Sequence, residues 1–538
     1  MATTTAGPGR MPRQIAYIIG NEACERFSFY GMRNILVPFL ISSVLLAYLP
    51  EGAQRDGAAK DIFHSFVIGV YFFPLLGGWL SDRFFGKYNT ILWFSLVYCA
   101  GHACLALFES HAGGFYTGLF LIALGSGGIK PLVVSFCGDQ FDRSNKDKAR
   151  VVFDAFYWII NFGSFFASLL APLFLRHWGP AVAFGIPGVL MFIATVVFWL
   201  GRRRYVNVPP SGDDPHGFLE VVKTALRTRR PGQGRPGYAV AMAGLAAAAA
   251  LLGLWALSLA GLVPWWPDFG FVISACLALG AVIALGGWGA SLQLERARGA
   301  HPDAAVDGVR AVLRILIVFA LVTPFWSLFD QKASTWIIQG REMTIPHGAA
   351  WWPSWLVQDA AQMQALNPLL VMLLIPFNNL VLYPALRRLG WEPTALRRMG
   401  WGIAISGVSW IVAGALQLWL DGGAPVSLAW QALPYLMLTF GEVLVSATAL
   451  EFAYSQAPHA MKGVIMAFWY LTSTFGSLWV LLTNFGVRNE AVLGRIAGTG
   501  LSENAFLMFF FAGFAFAAAL AFAAYARRYP MQDNYRAA

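Results

Sequence analysis

A short stretch near the start of the chain carries four ionisable residues inside an otherwise apolar segment. Glu22, Glu25 and Arg26 lie within five residues of one another, and Arg33 follows seven residues later. In a helix, Glu22 and Arg26 lie one turn apart and can form an ion pair. A charge in mid-bilayer costs about 2.5–3.5 kcal/mol, so the cluster predicts a watery cavity in which carboxylates exchange protons. The alternative is a buried ion-pair network that only fixes helix packing.

Other apolar segments each contain an isolated ionisable residue. Lys130 follows the glycines of GSGGIKPLVVSF, and Asp330 and Glu442 occur in PFWSLFDQKAS and LTFGEVLVSAT. A lysine in the first half of the chain and acids in the second half predict opposite charges that meet across a central cavity. His64 can titrate near neutral pH, or it is a helix-end histidine bonded to backbone. Lys332 lies nearer a segment end, where extension to the membrane surface is an equal alternative.

The elements that position these residues are predicted to be transmembrane helices. The chain is 57% hydrophobic and 12% charged, whereas a soluble protein carries about 25% charged residues. A helix needs ~20 apolar residues to cross a bilayer, and fourteen segments meet that length. Their approximate limits are 15–40, 62–82, 88–108, 114–137, 152–175, 181–201, 238–262, 269–293, 312–338, 363–386, 399–420, 430–454, 461–486 and 503–526. The composition therefore indicates an all-α polytopic membrane protein.

The distribution of basic residues predicts the orientation of these helices. With both termini in the cytoplasm, 28 of the 38 Lys and Arg residues fall in cytoplasmic segments and six fall in external loops. Such a bias is typical of membrane proteins, and it also accounts for the net charge of +10 without a nucleic-acid partner. The N-terminal stretch MATTTAGPGRMPRQ leads into a helix of full spanning length, which argues against a signal peptide.

The spacing of the segments predicts a plan of six, two and six helices. The predicted divisions are a six-helix bundle over 1–201, a cytoplasmic linker over 202–237, two additional helices over 238–293, a second linker over 294–311 and a six-helix bundle over 312–538. The additional pair holds no ionisable residue deep within it, so we expect it to lie away from the chemistry.

Sequence patterns of enzymes are missing from the chain. It contains no H-E-x-x-H, no G-x-S-x-G and no G-x-x-x-x-G-K-[ST] pattern. The five cysteines lie in apolar stretches without a C-x-x-C pair, which is typical of small buried residues rather than metal ligands or disulfides. We therefore expect neither an enzyme nor a bound metal.

At its charged positions the chain resembles the proton-dependent oligopeptide transporter family of the major facilitator superfamily. The run from Glu22 to Gly31 is similar to the family pattern E-x-x-E-R-F-x-Y-Y-G, with Phe29 in place of the first tyrosine. The run 77–87 resembles the loop between the second and third helices, and 156–164 resembles the fifth-helix motif. His64-Ser-Phe resembles the branch that includes animal peptide transporters. The likeness covers about 15–526 except 202–310.

The resemblance implies a major facilitator fold, with two six-helix bundles that alternate between inward- and outward-open states around a central site. It implies a symporter that imports di- and tripeptides across a bacterial inner membrane, with the proton as coupling ion and no other cofactor. The implied partners are small peptides and the lipid bilayer, without nucleic acid or an obligatory protein partner. A relative that transports nitrate, modified amino acids or peptide-like drugs is the alternative. A membrane enzyme and a receptor without net flux are more distant ones.

The resemblance also assigns roles to individual residues. Proton coupling would involve Glu22, Glu25, Arg26, His64 and Asp330. The pairs Arg33–Asp330 and Lys130–Glu442 would close the two sides in turn. Peptide binding would involve Arg26, Tyr30, Arg33, Tyr71, Lys130, Asn161, Trp326, Asn367, Glu442, Ser446 and Trp469. In this scheme Glu442 holds the peptide's amino terminus, and the basic residues attract its carboxylate.

Overall fold

The computed structural model describes residues 11–141, 146–210, 212, 214–266, 270–456 and 461–530. The first part of the chain forms α1 (Ile15–Ser42), α2 (Ala53–Leu80), α3 (Gly86–Leu107), α4 (Ala112–Gly138) and α5 (Lys146–Leu200). α5 contains two membrane crossings, because Gly179 has a φ of +81° that breaks the helix before Pro180. One hydrophobic core, built around residues such as Phe39, Phe115 and Phe184, holds these helices together.

The middle and last parts of the chain are also helical. The middle part forms α6 (Phe218–Arg227), α7 (Pro236–Leu259) and α8 (Gly270–Gln293). The last part forms α9 (Asp303–Asp330), α10 (Thr335–Glu342), α11 (Leu366–Phe377), α12 (Tyr383–Arg388), α13 (Ala395–Asp421), α14 (Ala432–Gln456), α15 (Lys462–Val487), α16 (Glu490–Ala497) and α17 (Glu503–Ala526). A second core, including Trp336, Trp410 and Tyr435, unites the last part with α6.

The helices confirm the predicted polytopic membrane fold. In the described chain, eleven helical segments are long and apolar enough to cross a membrane, and two of these, Ala53–Leu107 and Ala155–Arg203, contain two helices each. α1 completes fourteen crossings, although its buried Glu22, Glu25 and Arg33 lower its hydropathy. An even number of crossings places residues 11 and 530 on one side of the molecule. We call this the terminal side and the opposite one the distal side.

The helix ends depart from the sequence prediction where polar residues are buried by tertiary packing. α2 starts at Ala53 rather than near 62, because Lys60 and Asp61 are buried within the protein fold. The linker 202–237, expected to be polar, contains the amphipathic α6. Its buried Phe218 and Val221 pack against the second core, which explains why this charged segment is ordered as a helix.

Close helix contacts hold the first bundle together, and α2 and α15 connect it to the second. α1 packs on α5, and α2 and α3 both pack on α4. At the α2–α4 contact, a Cβ on Gly77 would lie 2.2 Å from the carbonyl oxygen of Gly127, so the backbones meet where only glycine fits. α2 also packs along α15 of the other bundle, and α8 packs on α15. The additional pair therefore lies beside the junction of the two bundles.

Candidate functional site

The acidic and basic residues of α1 form a buried ion-pair cluster. Arg26 Nε lies 2.6 Å from Glu22 Oε1 and 3.3 Å from Glu25 Oε2. Both glutamates are completely buried, and neither oxygen of Glu25 accepts a hydrogen bond from the described residues. The pairing predicted from the i, i+4 spacing is therefore confirmed. Arg26 is thus in ion-pair contact with both carboxylates, and Lys130 lies within electrostatic range of Glu25.

Lys130 on α4 lies against aromatic rings, and Glu25 is within electrostatic range of it but not at ion-pair distance. Its Nζ lies 3.3 Å from the centroid of the Phe29 ring and 5.2 Å from that of Tyr71. Phe29 is the position where the resembled family has tyrosine, and here the ring face provides a cation–π contact. Lys130 is 5% exposed and forms no ion pair with a described residue, so its charge is available to a bound anion.

The acidic side of the site lies in the second bundle. Asn367 on α11 donates to Glu442 Oε2 at 2.6 Å and to Thr439 Oγ1 at 3.0 Å. Lys332 Nζ donates to Asn367 Oδ1 at 2.8 Å and lies 3.2 Å from the centroid of the Phe329 ring. Lys332 is 4% exposed, so the alternative in which it extends to the membrane surface is wrong. It lies in the tight 3-10 turn 331–333 after α9, which directs it into the second bundle.

Charged side chains of both bundles face the region between α1 and α14. The Tyr30 hydroxyl on α1 lies within electrostatic range of Arg26 and Arg33 on its own helix, and of Glu442 on α14. Tyr30 and Glu442 are both half-buried, in contrast to the sealed Glu22. The region between Tyr30 and Glu442 is thus bordered by basic side chains of the first bundle and by an acidic side chain of the second.

Aromatic and amide side chains complete the predicted lining. The rings of Trp326 and Trp469 are 5.8 Å apart, and those of Tyr71 and Tyr470 stack at 6.3 Å across the two bundles. Asn161 donates to the carbonyl of Tyr157 in its own helix at 2.9 Å. Ser446 lies one turn beyond Glu442 on α14 and is half-buried. These residues offer apolar faces with few fixed polar partners, which suits side chains of different shapes.

An ion pair joins the bundles beyond this region. Arg33 Nη2 lies 2.7 Å from Asp330 Oδ1, and Ser473 donates to Asp330 Oδ2 at 2.9 Å. Arg33 is 4% exposed and Asp330 1%. The structure therefore brings together the Arg33–Asp330 pair that the resemblance implied.

His64 also bridges the bundles from α2. Its Nε2 lies 3.1 Å from Ser334 Oγ and its Nδ1 lies 3.3 Å from Ser477 Oγ, and the ring is completely buried. These are side-chain partners of the other bundle, so the alternative of a helix-end histidine bonded to backbone is wrong. A second proton on this ring would add a buried positive charge near Arg33.

The polar contacts between the bundles lie on the distal half of the described chain. Besides those of Arg33 and His64, Asn484 donates to Asp61 at 2.9 Å and Arg488 pairs with the same carboxylate. Arg176 donates to the carbonyl of Gln358 at 2.9 Å. On the terminal half, the ion pair Lys87–Asp139 stays within the first bundle. The Lys130–Glu442 pair, expected to close that half, is not formed. The contacts therefore describe a molecule closed on its distal side.

Among the described residues, no group of three or more His, Cys, Asp or Glu side chains is placed to hold a metal ion. The cysteines of the described chain are free thiols. The site consists of permanent charges, titratable acids and aromatic walls.

The sequence of the chain matches a family model and several known proteins. The family model "PTR2: POT family" matches residues 88–262 and 270–486. Peptide transporter 3 of Caenorhabditis elegans is 31% identical over 422 residues, which cover 76% of this chain and 51% of that protein. Human solute carrier family 15 member 2 is 30% identical over 431 residues, with 77% and 50% coverage. The chain thus spans about half the length of these relatives.

Solved structures match this chain along almost the whole length of both proteins. The crystal structure of an auto-inhibited POT family peptide transporter is 68% identical with a TM-score of 0.91, covering 98% of this chain and 99% of that one. The in meso crystal structure of the POT family transporter PepTSo is 64% identical with a TM-score of 0.91, covering 98% and 100%.

Proposed function

The chain belongs to the POT family, and we propose that it is a proton-coupled symporter that imports di- and tripeptides by alternating access. Membership in a family of transporters agrees with the expectation that the chain is not an enzyme. The observation that carries the proposal is the region between the bundles, with Arg26, Arg33 and Lys130 on one wall and Glu442 on the other.

Peptides share two charged termini and a backbone but differ in their side chains. A site with fixed positive and negative poles recognises the common part, whereas loose aromatic walls such as Trp326 and Trp469 accept the variable part. The peptide's ammonium would bind Glu442, whose carboxylate now accepts a hydrogen bond from Asn367 and lies within electrostatic range of Lys332. Its carboxylate would approach Lys130, which lies against the Phe29 and Tyr71 rings and forms no ion pair with a described residue.

Proton coupling follows from the α1 cluster. Glu22 and Glu25 share Arg26 as their cation in a buried environment. A proton on either acid frees part of the guanidinium for a peptide carboxylate, so proton and peptide binding support each other. On the distal side, protonation of Asp330 or His64 weakens the contacts that hold the bundles together and allows opening toward the proton source.

The direction of transport rests on the proposed topology. The excess of Lys and Arg in segments of the terminal side supports an orientation in which that side, and both termini, lie in the cytoplasm of a bacterium, with the protein in the inner membrane. The distal side then faces the exterior, and the structure corresponds to an inward-facing state. One proton charge that crosses 100 mV supplies about 2.3 kcal/mol, or roughly 50-fold accumulation of a neutral peptide.

Uptake of a labelled dipeptide into proteoliposomes tests the proposal. Accumulation is expected only with an inward proton gradient or a negative interior. Unlabelled tripeptides are expected to compete, whereas free amino acids and nitrate are not. Competition by nitrate or by a single amino acid in place of the tripeptide would assign the chain a different substrate.

A further inference from the structure

A groove separate from the peptide site lies between the two bundles on the distal half. It has a volume of about 980 Å³. Its walls come from α2 and α4 of the first bundle and from α15 and α16 of the second, and Val272 of α8 also lines it. None of the proposed proton-coupling or peptide-binding residues lines this groove.

The inner part of the groove is apolar and has the depth of one membrane leaflet. Phe66, Phe73 and Phe120 line it, and Phe120 is 54% exposed toward the exterior of the helix bundle. Along α2 the whole lining extends from Ala53 to Phe73, and its apolar part from Ile62 to Phe73 is about 17 Å of helix. Half of the hydrocarbon core of a bilayer measures about 15 Å. Tyr116 lies near the distal mouth, as is typical of aromatic residues at a membrane interface.

A buried cation without an ion-pair partner faces the groove. Lys60 is 5% exposed and lines the cavity. Asp56, Asp61 and Glu503 lie within electrostatic range of its charge, but it forms no ion pair or hydrogen bond with a described residue. Burial of a lysine without a partner is unfavourable. The side chain is therefore placed to meet an anionic group that enters the groove.

Two further charges border the same mouth. Arg488 lines the groove while it pairs with Asp61, and its side chain is 41% exposed, which leaves donors for another acceptor. Glu503, in the first turn of α17, also lines the groove and forms no ion pair with a described residue. The mouth thus offers two cations and one carboxylate above an apolar channel.

We propose that this groove binds one phospholipid whose headgroup carries a phosphate and a primary ammonium, as in phosphatidylethanolamine. The phosphate contacts Lys60 and Arg488, the ammonium donates to Glu503, and an acyl chain lies along Phe66 and Phe73. A quaternary ammonium has no N–H to donate, so the carboxylate favours the primary amine over choline. Because both bundles form the walls, the bound lipid stabilises the distally closed state.

Native mass spectrometry of the purified full chain tests the proposal without peptide or proton gradient, so its outcome is independent of the transport function. The protein is extracted from vesicles of equal parts dioleoylphosphatidylethanolamine, dioleoylphosphatidylcholine and dioleoylphosphatidylglycerol. We expect retained phosphatidylethanolamine to exceed the other two by about tenfold, the effect of one charge-assisted hydrogen bond. Equal retention of the three lipids, or a preference for phosphatidylglycerol, would overturn the proposal.

Four variants test the proposed lipid contacts one at a time. Lys60→Gln is expected to lower retention of all lipids, whereas Glu503→Gln keeps retention but removes the preference for phosphatidylethanolamine. Ser65 lines the groove with a hydroxyl that has no hydrogen-bond partner among the described residues, and Ser65→Phe fills the channel and is expected to abolish retention. Lys223→Gln, on the exposed face of α6, is the matched control. Unchanged retention in both Lys60→Gln and Ser65→Phe, with the thermal unfolding midpoint preserved, contradicts the site.

Discussion

Asp330→Asn is expected to shift the protein from the distally closed to the distally open state. In the structure Asp330 receives a charged hydrogen bond from Arg33 at 2.7 Å and a second bond from Ser473 at 2.9 Å. Asparagine keeps the shape and can still accept a hydrogen bond, but it removes the negative charge. Closure of the distal side would then bury Arg33 without its counter-ion.

The size of the effect follows from the burial of the pair, since the Arg33 side chain is 5% exposed and that of Asp330 is 1% exposed. Removal of one partner from a buried pair costs about 3–5 kcal/mol. Arg33 regains water when the side opens, so this cost applies to the closed state. At the lower limit of about 3 kcal/mol the equilibrium shifts about 150-fold. An open population of about 1% would rise to about 60%.

Double electron–electron resonance between spin labels on the two bundles measures these populations. Glu51 precedes α2 and Arg495 lies on α16, and both are exposed residues on the distal side. The five native cysteines are replaced by serine before labels are attached at these two positions. We expect a longer-distance population that is minor in the unaltered pair and dominant in Asp330→Asn.

Asp139→Asn is the control, because it breaks the Lys87–Asp139 pair within the first bundle on the terminal side. The distal distance distribution is expected to stay unchanged there. A distribution in Asp330→Asn that equals that of the control would refute the idea that the Arg33–Asp330 pair holds the distal side closed.

Three further changes test other parts of the structure. His64→Gln keeps neutral hydrogen bonding but cannot gain a charge, so acid should open the distal side to a smaller extent than in the unaltered protein, with the remaining response due to Asp330; a response of unaltered size argues against His64 as a sensor. Asn367→Leu removes the amide that bonds Glu442, and KM for dipeptide is expected to rise about tenfold, the effect of one hydrogen bond to a charged group, while an unchanged KM contradicts its role. Gly77→Ala places a methyl group against Gly127 and should destabilise the protein by about 1–3 kcal/mol, measured as a lower thermal unfolding midpoint; an unchanged midpoint would contradict the close helix contact.

Much of the fold was predictable because the bilayer imposes a length on each helix. Segments of about 20 apolar residues gave the right number of crossings, including α1, whose charges Glu22 and Arg26 are tolerated because they pair inside the protein. Helix ends were less predictable. Lys60 and Asp61 extend α2 because tertiary contacts bury them, and hydropathy along the chain contains no information on such contacts.

The site was predictable where a local spacing determines the contact. The Glu22–Arg26 pair follows from helical geometry, whereas Arg33–Asp330 joins residues that are 297 positions apart and came only from family resemblance. The position of Lys332 near a segment end suggested the membrane surface, yet the turn after α9 directs it to Asn367. No sequence rule predicts the direction of a side chain at such a helix break.

The Lys130–Glu442 pair illustrates a different limit. The resemblance implied contacts that belong to different conformational states, whereas one structure shows the contacts of a single state. In a distally closed molecule the pair that would close the terminal side is expected to be apart, and Lys130 contacts Phe29 and Tyr71 instead. The role of this pair therefore stays a prediction for the opposite state.

The buried acids of α1 are proposed to couple a proton to the movement of a peptide. Glu22→Gln is the direct test, since glutamine preserves the size of a side chain whose carboxylate lies 2.6 Å from Arg26 but cannot release a proton. In proteoliposomes, exchange of labelled for unlabelled dipeptide is expected to continue, whereas accumulation driven by a proton gradient is expected to disappear. Proton-driven accumulation at the level of the unaltered protein would contradict the account.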